Sequence, residues 1–419
     1  MKNFDRRHFL GNAAGAAVGI GLWHRDPRLL GFDLDSRPKP KSVAAIVTVY
    51  RKNSHADVLV GKILSGWKQD QGIGPALTLA SLYVDQYPQD DMSRSLAAEH
   101  GFRLCKTIAE SIELDTGRVA VDGVLCIGEH GDYPWNDKEQ HLYPRRRLFG
   151  EIADAFERLG KVVPIFHDKH PGPVWDDAKW IYDRATELKI PWMAGSSLVV
   201  SYRNPDKTLP WGSDLEACVA IGYSGLDVYG FHTLDFLQCI IERRESQHTG
   251  VDWVQSYSVH ALPNLLESKL IDAKLLDAGL ASSGTNLKTV LEASGEGAAI
   301  FMVHYMDGLL VPVVMLSSFA TGISVACRTT TGEAFATRVE ERPEPRYPHF
   351  AYLLKGFEQM VHTGSPVYPV ERTMLAAGIL DRVLTSRRDG NLRVNTPELN
   401  IQYKPVNYGH APHLQLNRY

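Results

Sequence analysis

The sequence contains no Cys-x-x-Cys pair, and its five cysteines cannot all be paired because their number is odd. Neither a disulfide framework nor a thiolate zinc site is therefore indicated. Three of the cysteines lie in apolar runs, which favours buried core thiols over a catalytic cysteine. These three are Cys105, Cys126 and Cys239.

The sequence also lacks an excess of charge of either sign. Its 45 basic and 49 acidic residues give a formal charge of −4 over 419 residues. Affinity for a nucleic acid usually depends on a basic field, so we expect no nucleic-acid partner. The hydrophobic share of 44% is typical of a soluble globular chain of two or three domains.

Long apolar runs are missing as well, and the one short run follows a pair of arginines. Arg6 and Arg7 precede a Gly- and Ala-rich stretch, Gly11–Trp23, and together they resemble a twin-arginine export signal. The stretch is too short and too glycine-rich for a stable membrane span. We expect export of the folded protein to the periplasm, with the signal retained as a membrane tether because no clean Ala-x-Ala site follows. The signal and a linker occupy residues 1–41, and we expect no other membrane segment.

From residue 42 the sequence alternates between buried strands and amphipathic helices. Ser42–Tyr50 is a β-branched apolar run, and residues 55–67 then show helical spacing. Such alternation with short connections predicts an α/β fold, with a Rossmann-like, doubly wound parallel sheet over residues 42–200. Residues 201–419 contain further strand-like runs and predict an α+β substrate-binding domain with a large open, mostly antiparallel sheet.

Polar side chains are concentrated where the fourth and the fifth predicted strands end. They are Glu129, His130 and Asp132 after one strand, and His167, Asp168 and His170 after the other. Neighbouring strand ends lie about 5 Å apart, so we expect these groups to converge on the crevice where such sheets bind ligands. Imidazoles and carboxylates are suitable ligands for zinc, manganese or iron. The same groups would also suit a hydrogen-bonded sugar site, and both interpretations remain open.

Several short motifs occur in the order seen in one family of sugar oxidoreductases. They are Asp122-Gly123-Val124, Gly160-Lys161-Val162-Val163 leading to Asp168-Lys169, and Gly230-Phe231-His232-Thr233-Leu234-Asp235. On these residues the chain from residue 42 onward resembles the Gfo/Idh/MocA family. The resemblance implies an NAD(P) cofactor, a small-molecule or oligosaccharide substrate and a homo-oligomer. It also implies that Lys169 is the active-site lysine and His232 the acid/base histidine, with Asp235 either orienting that imidazole or capping the helix.

The turn after the first strand departs from the family. A dinucleotide fold uses glycines there so that the backbone can approach the pyrophosphate, but residues 47–54 contain none. Arg51 could replace them as a phosphate binder or belong to a solvated loop. His55 stands where the family has a histidine, and Asp85 is either the ribose-binding acid or a turn residue. With Glu129, these residues are our cofactor-binding candidates.

Two enzymatic functions follow from this pattern. One is an exported carbohydrate oxidoreductase with tightly held NAD(P), which Lys169 and His232 favour. The other is a cofactor-free, metal-dependent carbohydrate lyase, hydrolase or epimerase, with His130, His167 and His170 as ligands to zinc or manganese. The third hypothesis is a non-catalytic sugar-binding protein. The concentration of titratable groups at the strand ends makes this hypothesis less favoured than an enzyme.

Overall fold

The computed structural model describes residues 37–246, 249–292 and 298–418. The twin-arginine signal predicted from the sequence lies outside these ranges. Residues Lys39–Arg418 form one compact unit. Within the described part of the chain, every helix is too short or too polar to cross a membrane.

The first sheet has six strands in the order β3-β2-β1-β4-β5-β6, and all their pairings are parallel. The strands are Lys41–Val47 (β1), Leu77–Val84 (β2), Arg103–Cys105 (β3), Gly123–Ile127 (β4), Ile165–Asp168 (β5) and Trp192–Gly195 (β6). The helices between them are His55–Ser65 (α1), Ser93–His100 (α2), Ile108–Glu113 (α3), Arg145–Leu159 (α4) and Trp175–Glu187 (α5). The predicted doubly wound parallel sheet is thereby confirmed, and its strand order reverses between β1 and β4.

Burial explains why these segments form strands. The β1 residues Val43–Val47 are completely buried, because helices cover both faces of a parallel sheet. Successive side chains point to opposite faces, so Val43 packs in one apolar cluster and Ala44 in another. Helix α1 then begins after Ser54, whose hydroxyl accepts a hydrogen bond from the Asp57 amide.

The second sheet has eight strands in the order β14-β9-β10-β11-β8-β12-β13-β7. The strands are Tyr202–Asn204 (β7), Leu215–Gly222 (β8), Val251–Ser258 (β9), Ala299–Tyr305 (β10), Leu310–Met315 (β11), Ser324–Thr329 (β12), Ala334–Glu340 (β13) and Val394–Asn395 (β14). Only the pairing of β11 with β8 is parallel among the strands described. This confirms the mostly antiparallel sheet.

Within the described ranges, six further α-helices follow along this half of the chain. They are Val228–Ile241 (α6), Leu262–Glu267 (α7), Ala273–Ser282 (α8), Leu287–Glu292 (α9), His349–Thr363 (α10) and Glu371–Arg388 (α11). Helix α10 returns to the first sheet, where Leu353 and Phe357 join the cluster of Val43, Leu125 and Phe166. The core of the first sheet therefore includes residues from the C-terminal half of the sequence.

The cysteines are free, and Cys105 and Cys126 are buried as predicted, whereas Cys239 is partly exposed. Cys218 and Cys327 occupy directly opposite positions on β8 and β12, with their Sγ atoms 3.5 Å apart. No local signal in the sequence indicated this pair, because the two residues come together only through the pairing of distant strands.

Candidate functional site

A cavity of about 170 Å³ lies at the carboxyl edge of the first sheet. Four imidazoles from four separate segments line it: His55, His130, His232 and His349. Asn53, Tyr229, Glu341 and Phe350 contribute to the same wall. The position agrees with the ligand crevice expected for this type of sheet. A larger hollow of about 680 Å³ is remote from these strand ends, and its Arg328 is already paired with Glu216 and Asp272.

A buried ion triplet lies behind the cavity. Glu129 accepts a hydrogen bond from the Lys169 Nζ at 2.8 Å on one oxygen and pairs with the Arg145 guanidinium through the other. All three side chains are at most 4% exposed. Burial opposes the charged carboxylate, but the two cations outweigh it and hold the pKa of Glu129 well below its usual range. Glu129, predicted to bind a cofactor, therefore binds Lys169 and Arg145.

His232 has a fixed ring orientation. Its Nδ1 is hydrogen-bonded to the hydroxyl of Ser196 at 2.6 Å, which leaves Nε2 as the nitrogen that can face the cavity. Burial, followed by the nearby charge of Lys169, lowers the pKa of this imidazole well below its usual value. The ring is therefore neutral at pH 7 and able to accept a proton.

Asp235 was expected to orient the imidazole or to cap the helix, but its position shows an indirect role. Its Oδ2 accepts the backbone N–H of Ser196 at 2.8 Å. Asp235 thus fixes the residue that holds His232. Burial raises the pKa of Asp235 to about 6, and the neighbouring Arg372 acts in the opposite direction.

A second imidazole on the cavity is oriented by a carboxylate. The Nδ1 of His55 lies 2.5 Å from Asp168 Oδ2. The His55 ring also contacts His130 and Phe350, with centroids 5.2 Å and 4.9 Å away. His55, predicted from the sequence as a cofactor ligand, is therefore half of a His–Asp pair that leaves its other nitrogen for the cavity.

The three imidazoles predicted as metal ligands do not come together. His167 faces the opposite side of the sheet, where its ring stacks on Phe149 at 6.4 Å. His170 lies 2.9 Å from an Arg145 nitrogen and binds the Gly172 carbonyl at 2.6 Å, and only His130 lines the cavity. The reason is the alternation of side chains along a strand, which separates His167 from Asp168. The predicted three-histidine centre is therefore not formed.

The turn after β1 satisfies its own backbone amides. The Asp57 carboxylate accepts the Asn53 N–H at 2.8 Å and pairs with Arg346 at 2.7 Å. The Ser54 hydroxyl accepts the N–H groups of Arg51 and Asp57. Amides at such a turn and helix N-terminus are the groups that bind phosphate in dinucleotide folds. Here the chain's own oxygens occupy them, and the Arg51 side chain is exposed.

A segment that we call the strap, residues 129–133, runs from the end of β4 to the end of β2. The Gln86 side chain exchanges two hydrogen bonds of 2.9 Å with the backbone of Asp132. Asp85 accepts bonds from Tyr83, Tyr133 and Arg147 at 2.6–2.8 Å. Because β1 lies between β2 and β4, the strap crosses the end of β1. Asp85, predicted to be either the ribose-binding acid or a turn residue, is therefore bound by donors that hold the strap in place.

Solved structures, but not known sequences, match this chain, and they show which fold it has. No protein-family model matches the chain, and no curated protein does. GenD2 from gentamicin A biosynthesis, solved in complex with NAD, matches with a TM-score of 0.56 at 11% identity, over 85% of this chain and 97% of that one.

Inositol dehydrogenases match in the same way. The scyllo-inositol dehydrogenase of Lactobacillus casei, solved with NAD(H) and scyllo-inositol, has a TM-score of 0.54 at 9% identity, over 85% of this chain and 99% of that one. The myo-inositol dehydrogenase of Corynebacterium glutamicum has a TM-score of 0.53 at 12% identity, over 85% and 98%. These neighbours agree with the resemblance drawn from the motifs. The chain therefore has the two-sheet fold of these solved structures.

Proposed function

We propose that the protein is an exported carbohydrate oxidoreductase that acts on a hydroxyl of a sugar or polyol in the histidine-lined cavity. The observation that carries this proposal is His232, an imidazole of the cavity wall whose ring is fixed by Ser196 and whose pKa is lowered by burial and by the nearby charge of Lys169. The fold supports it, because solved neighbours bind NAD, and one of them holds scyllo-inositol. Export rests on the twin-arginine pattern at Arg6 and Arg7.

The proton chemistry belongs to this chain's own residues. In oxidation His232 would take the proton of the substrate hydroxyl, a two-electron acceptor of the nicotinamide class would take the hydride from the carbon, and a carbonyl would form; in reduction the acceptor would return the hydride and the same imidazole the proton. The Lys169 ammonium stabilises the negative charge that develops on the substrate oxygen. Glu129 keeps this lysine in place through one carboxylate oxygen, and Arg145 pairs with the other oxygen of Glu129.

The dinucleotide held by two of the neighbours does not fit the phosphate end of this crevice. Bound as in those proteins, it would supply the hydride acceptor, and Lys169 and His232 are the residues that we propose for its reactive end. At the phosphate end the residues do not fit, because Asp57 and Ser54 occupy the backbone amides and the strap crosses the end of β1.

A second candidate function is a redox-neutral proton transfer, such as epimerisation or elimination on a sugar. Two imidazoles with fixed rings, His55 and His232, line the same cavity. In epimerisation one would remove a proton from carbon next to a carbonyl, while the other would deliver a proton to the opposite face. The strap favours this candidate, because such chemistry needs no dinucleotide.

Mass analysis separates the two candidates. The purified full chain is denatured, and the released small molecules are searched for nicotinamide nucleotides. The native protein is then incubated in D₂O with hexoses, inositols and short oligosaccharides. An oxidised product lighter by one H₂ supports the oxidoreductase, whereas an isomer carrying deuterium on carbon, or a dehydrated product, supports the second candidate. Turnover that persists unchanged in His232→Ala would contradict both, and His260→Ala, at an exposed histidine, is the matched control.

A further inference from the structure

A second histidine cluster lies outside the cavity, between the loop that follows β7 and the C-terminal tail. Asp206 Oδ1 is 2.8 Å from His410 Nε2, and Asp206 Oδ2 is 2.5 Å from His413 Nε2. In the described ranges these residues form the one group of three whose ligand atoms all lie within 4.8 Å of one another. The proposed carbohydrate chemistry uses none of them.

The donor set suits a divalent transition metal. Two imidazole nitrogens and one carboxylate are typical ligands of zinc, cobalt and nickel, with zinc–nitrogen bonds of about 2.0–2.1 Å. Asp206 and His413 are exposed, so an ion has access and water can complete the coordination.

The backbone holds the ligands in place without an ion. In the tail, the His413 amide binds the His410 carbonyl at 2.8 Å, so that the two rings lie 5.4 Å apart. The buried Ala411 between them donates its N–H to the Val200 carbonyl at 3.0 Å. In the loop, the Pro205 carbonyl accepts the Thr337 hydroxyl at 2.7 Å next to Asp206. Little reorganisation is therefore needed for the three groups to share one ion.

We propose that Asp206, His410 and His413 form a structural site for one divalent transition metal, with zinc as the natural occupant. The ion would join the C-terminal tail to the β7 loop. Exposed imidazole–carboxylate pairs alone stabilise a fold only weakly, whereas a metal that joins distant segments contributes its binding free energy to folding. The tail meets Val200, and the same turn supplies Ser197 and Leu198 to the cavity wall. The metal would therefore stabilise one wall of the cavity from outside.

Cobalt provides a direct spectroscopic test. The full chain, with any affinity tag removed, is treated with a chelator, dialysed and titrated with Co²⁺. We expect visible d–d absorption that saturates at one equivalent and disappears when Zn²⁺ is added, together with a rise in Tm when Zn²⁺ is bound. His410→Ala and His413→Ala should each weaken Co²⁺ binding by at least about 100-fold, because even the loss of an outer-shell partner costs 10–100-fold.

Two controls keep the test decisive. His260→Ala should bind Co²⁺ like the wild type, and the circular dichroism of each metal-free variant shows whether it is folded. Asp206→Asn should also lose the d–d signal while keeping a hydrogen-bonding side chain. Absence of binding by the wild type at micromolar Co²⁺ would leave only a hydrogen-bonded cluster and overturn the proposal. Binding that survives in both histidine variants would place the ion elsewhere and would overturn it as well. Neither result bears on His232, so the proposed activity is tested separately.

Discussion

The two ends of the crevice on the first sheet use their polar groups in opposite ways. At the ends of β5 and β6, Asp168 and Ser196 each bind one ring nitrogen, of His55 and of His232 respectively, and the other nitrogen of each ring is left for the cavity. At the ends of β1 and β2, Asp57 and Asp85 are bound by the chain's own donors. Polar residues therefore leave free ring nitrogens on the cavity at one end of the crevice, whereas at the other end the chain's own hydrogen bonds occupy the polar groups. Sequence motifs alone could not show this difference.

His232 is the residue whose substitution should have the largest effect on activity. We expect His232→Ala to lower kcat by about 10²–10⁴, the usual contribution of a positioned acid/base group, with an unchanged circular dichroism spectrum. Steady-state turnover of the substrate found by mass analysis is the measurement. An equal loss of kcat in Tyr133→Phe would mean that the phosphate end of the crevice also takes part in the reaction. The two ends would then not differ in function.

The buried triplet gives the next largest effect, on stability. Glu129→Gln removes the one carboxylate that pairs with both Lys169 and Arg145, so we expect a loss of about 3–5 kcal/mol in the free energy of unfolding. Urea denaturation measures it. The double variant Glu129→Gln with Lys169→Met should be more stable than Glu129→Gln alone, because one of the two unpaired buried cations is then removed. Equal stability of the single and the double variant would mean that Lys169 does not depend on Glu129.

The pH dependence of stability tests the imidazole that faces away from the cavity. Burial, aided by Arg145, lowers the pKa of His167 to about 3, whereas an unfolded histidine titrates near 6.5. Between those values the unfolded chain binds the extra proton, so folding loses stability as the pH falls, by about 1.4 kcal/mol per unit. His167→Phe, which can stack on Phe149, should weaken this slope. Tm values at pH 8 and pH 5 measure it, and an unchanged difference would contradict the assignment.

The smallest effect is expected at the strap. Tyr133→Phe removes one of three donors to Asp85 and should cost about 1 kcal/mol of unfolding free energy, the net contribution of a typical hydrogen bond. Urea denaturation measures the change, with Tyr87→Phe, an exposed tyrosine of the same region, as the control. A larger loss in the control than in Tyr133→Phe would show that the strap is not fastened through Asp85.

The sequence predicted the fold better than it predicted the site. Periodicity and apolar composition were sufficient for the strands of the first sheet, because residues 43–47 of β1 are all apolar. Strand alternation could also have separated His167 from Asp168, since neighbouring residues of a strand face opposite ways. In contrast, no local signal relates His349, Ser196 or Arg145 to the cavity, because each arrives through tertiary packing.

The sequence predicted one of the two features of the turn after β1, the missing glycines, but not the ion pair that closes it. The absence of glycine from residues 47–54 predicted a poor phosphate site. The ion pair that fills it joins Asp57 to Arg346 across 289 positions, and one sequence gives no indication of such a pair. The same holds for Asp206 with His410 and His413, whose ring spacing depends on a turn in the tail.

Helix α10 has a consequence for how the protein is made. Its residues Leu353 and Phe357 complete the apolar cluster on one face of the first sheet, although most of the second sheet is synthesised before them. A ribosome-bound chain that ends before residue 349 therefore carries a first sheet with an uncovered apolar face. Such faces are prone to aggregation, so the nascent chain depends on protection until synthesis is nearly complete.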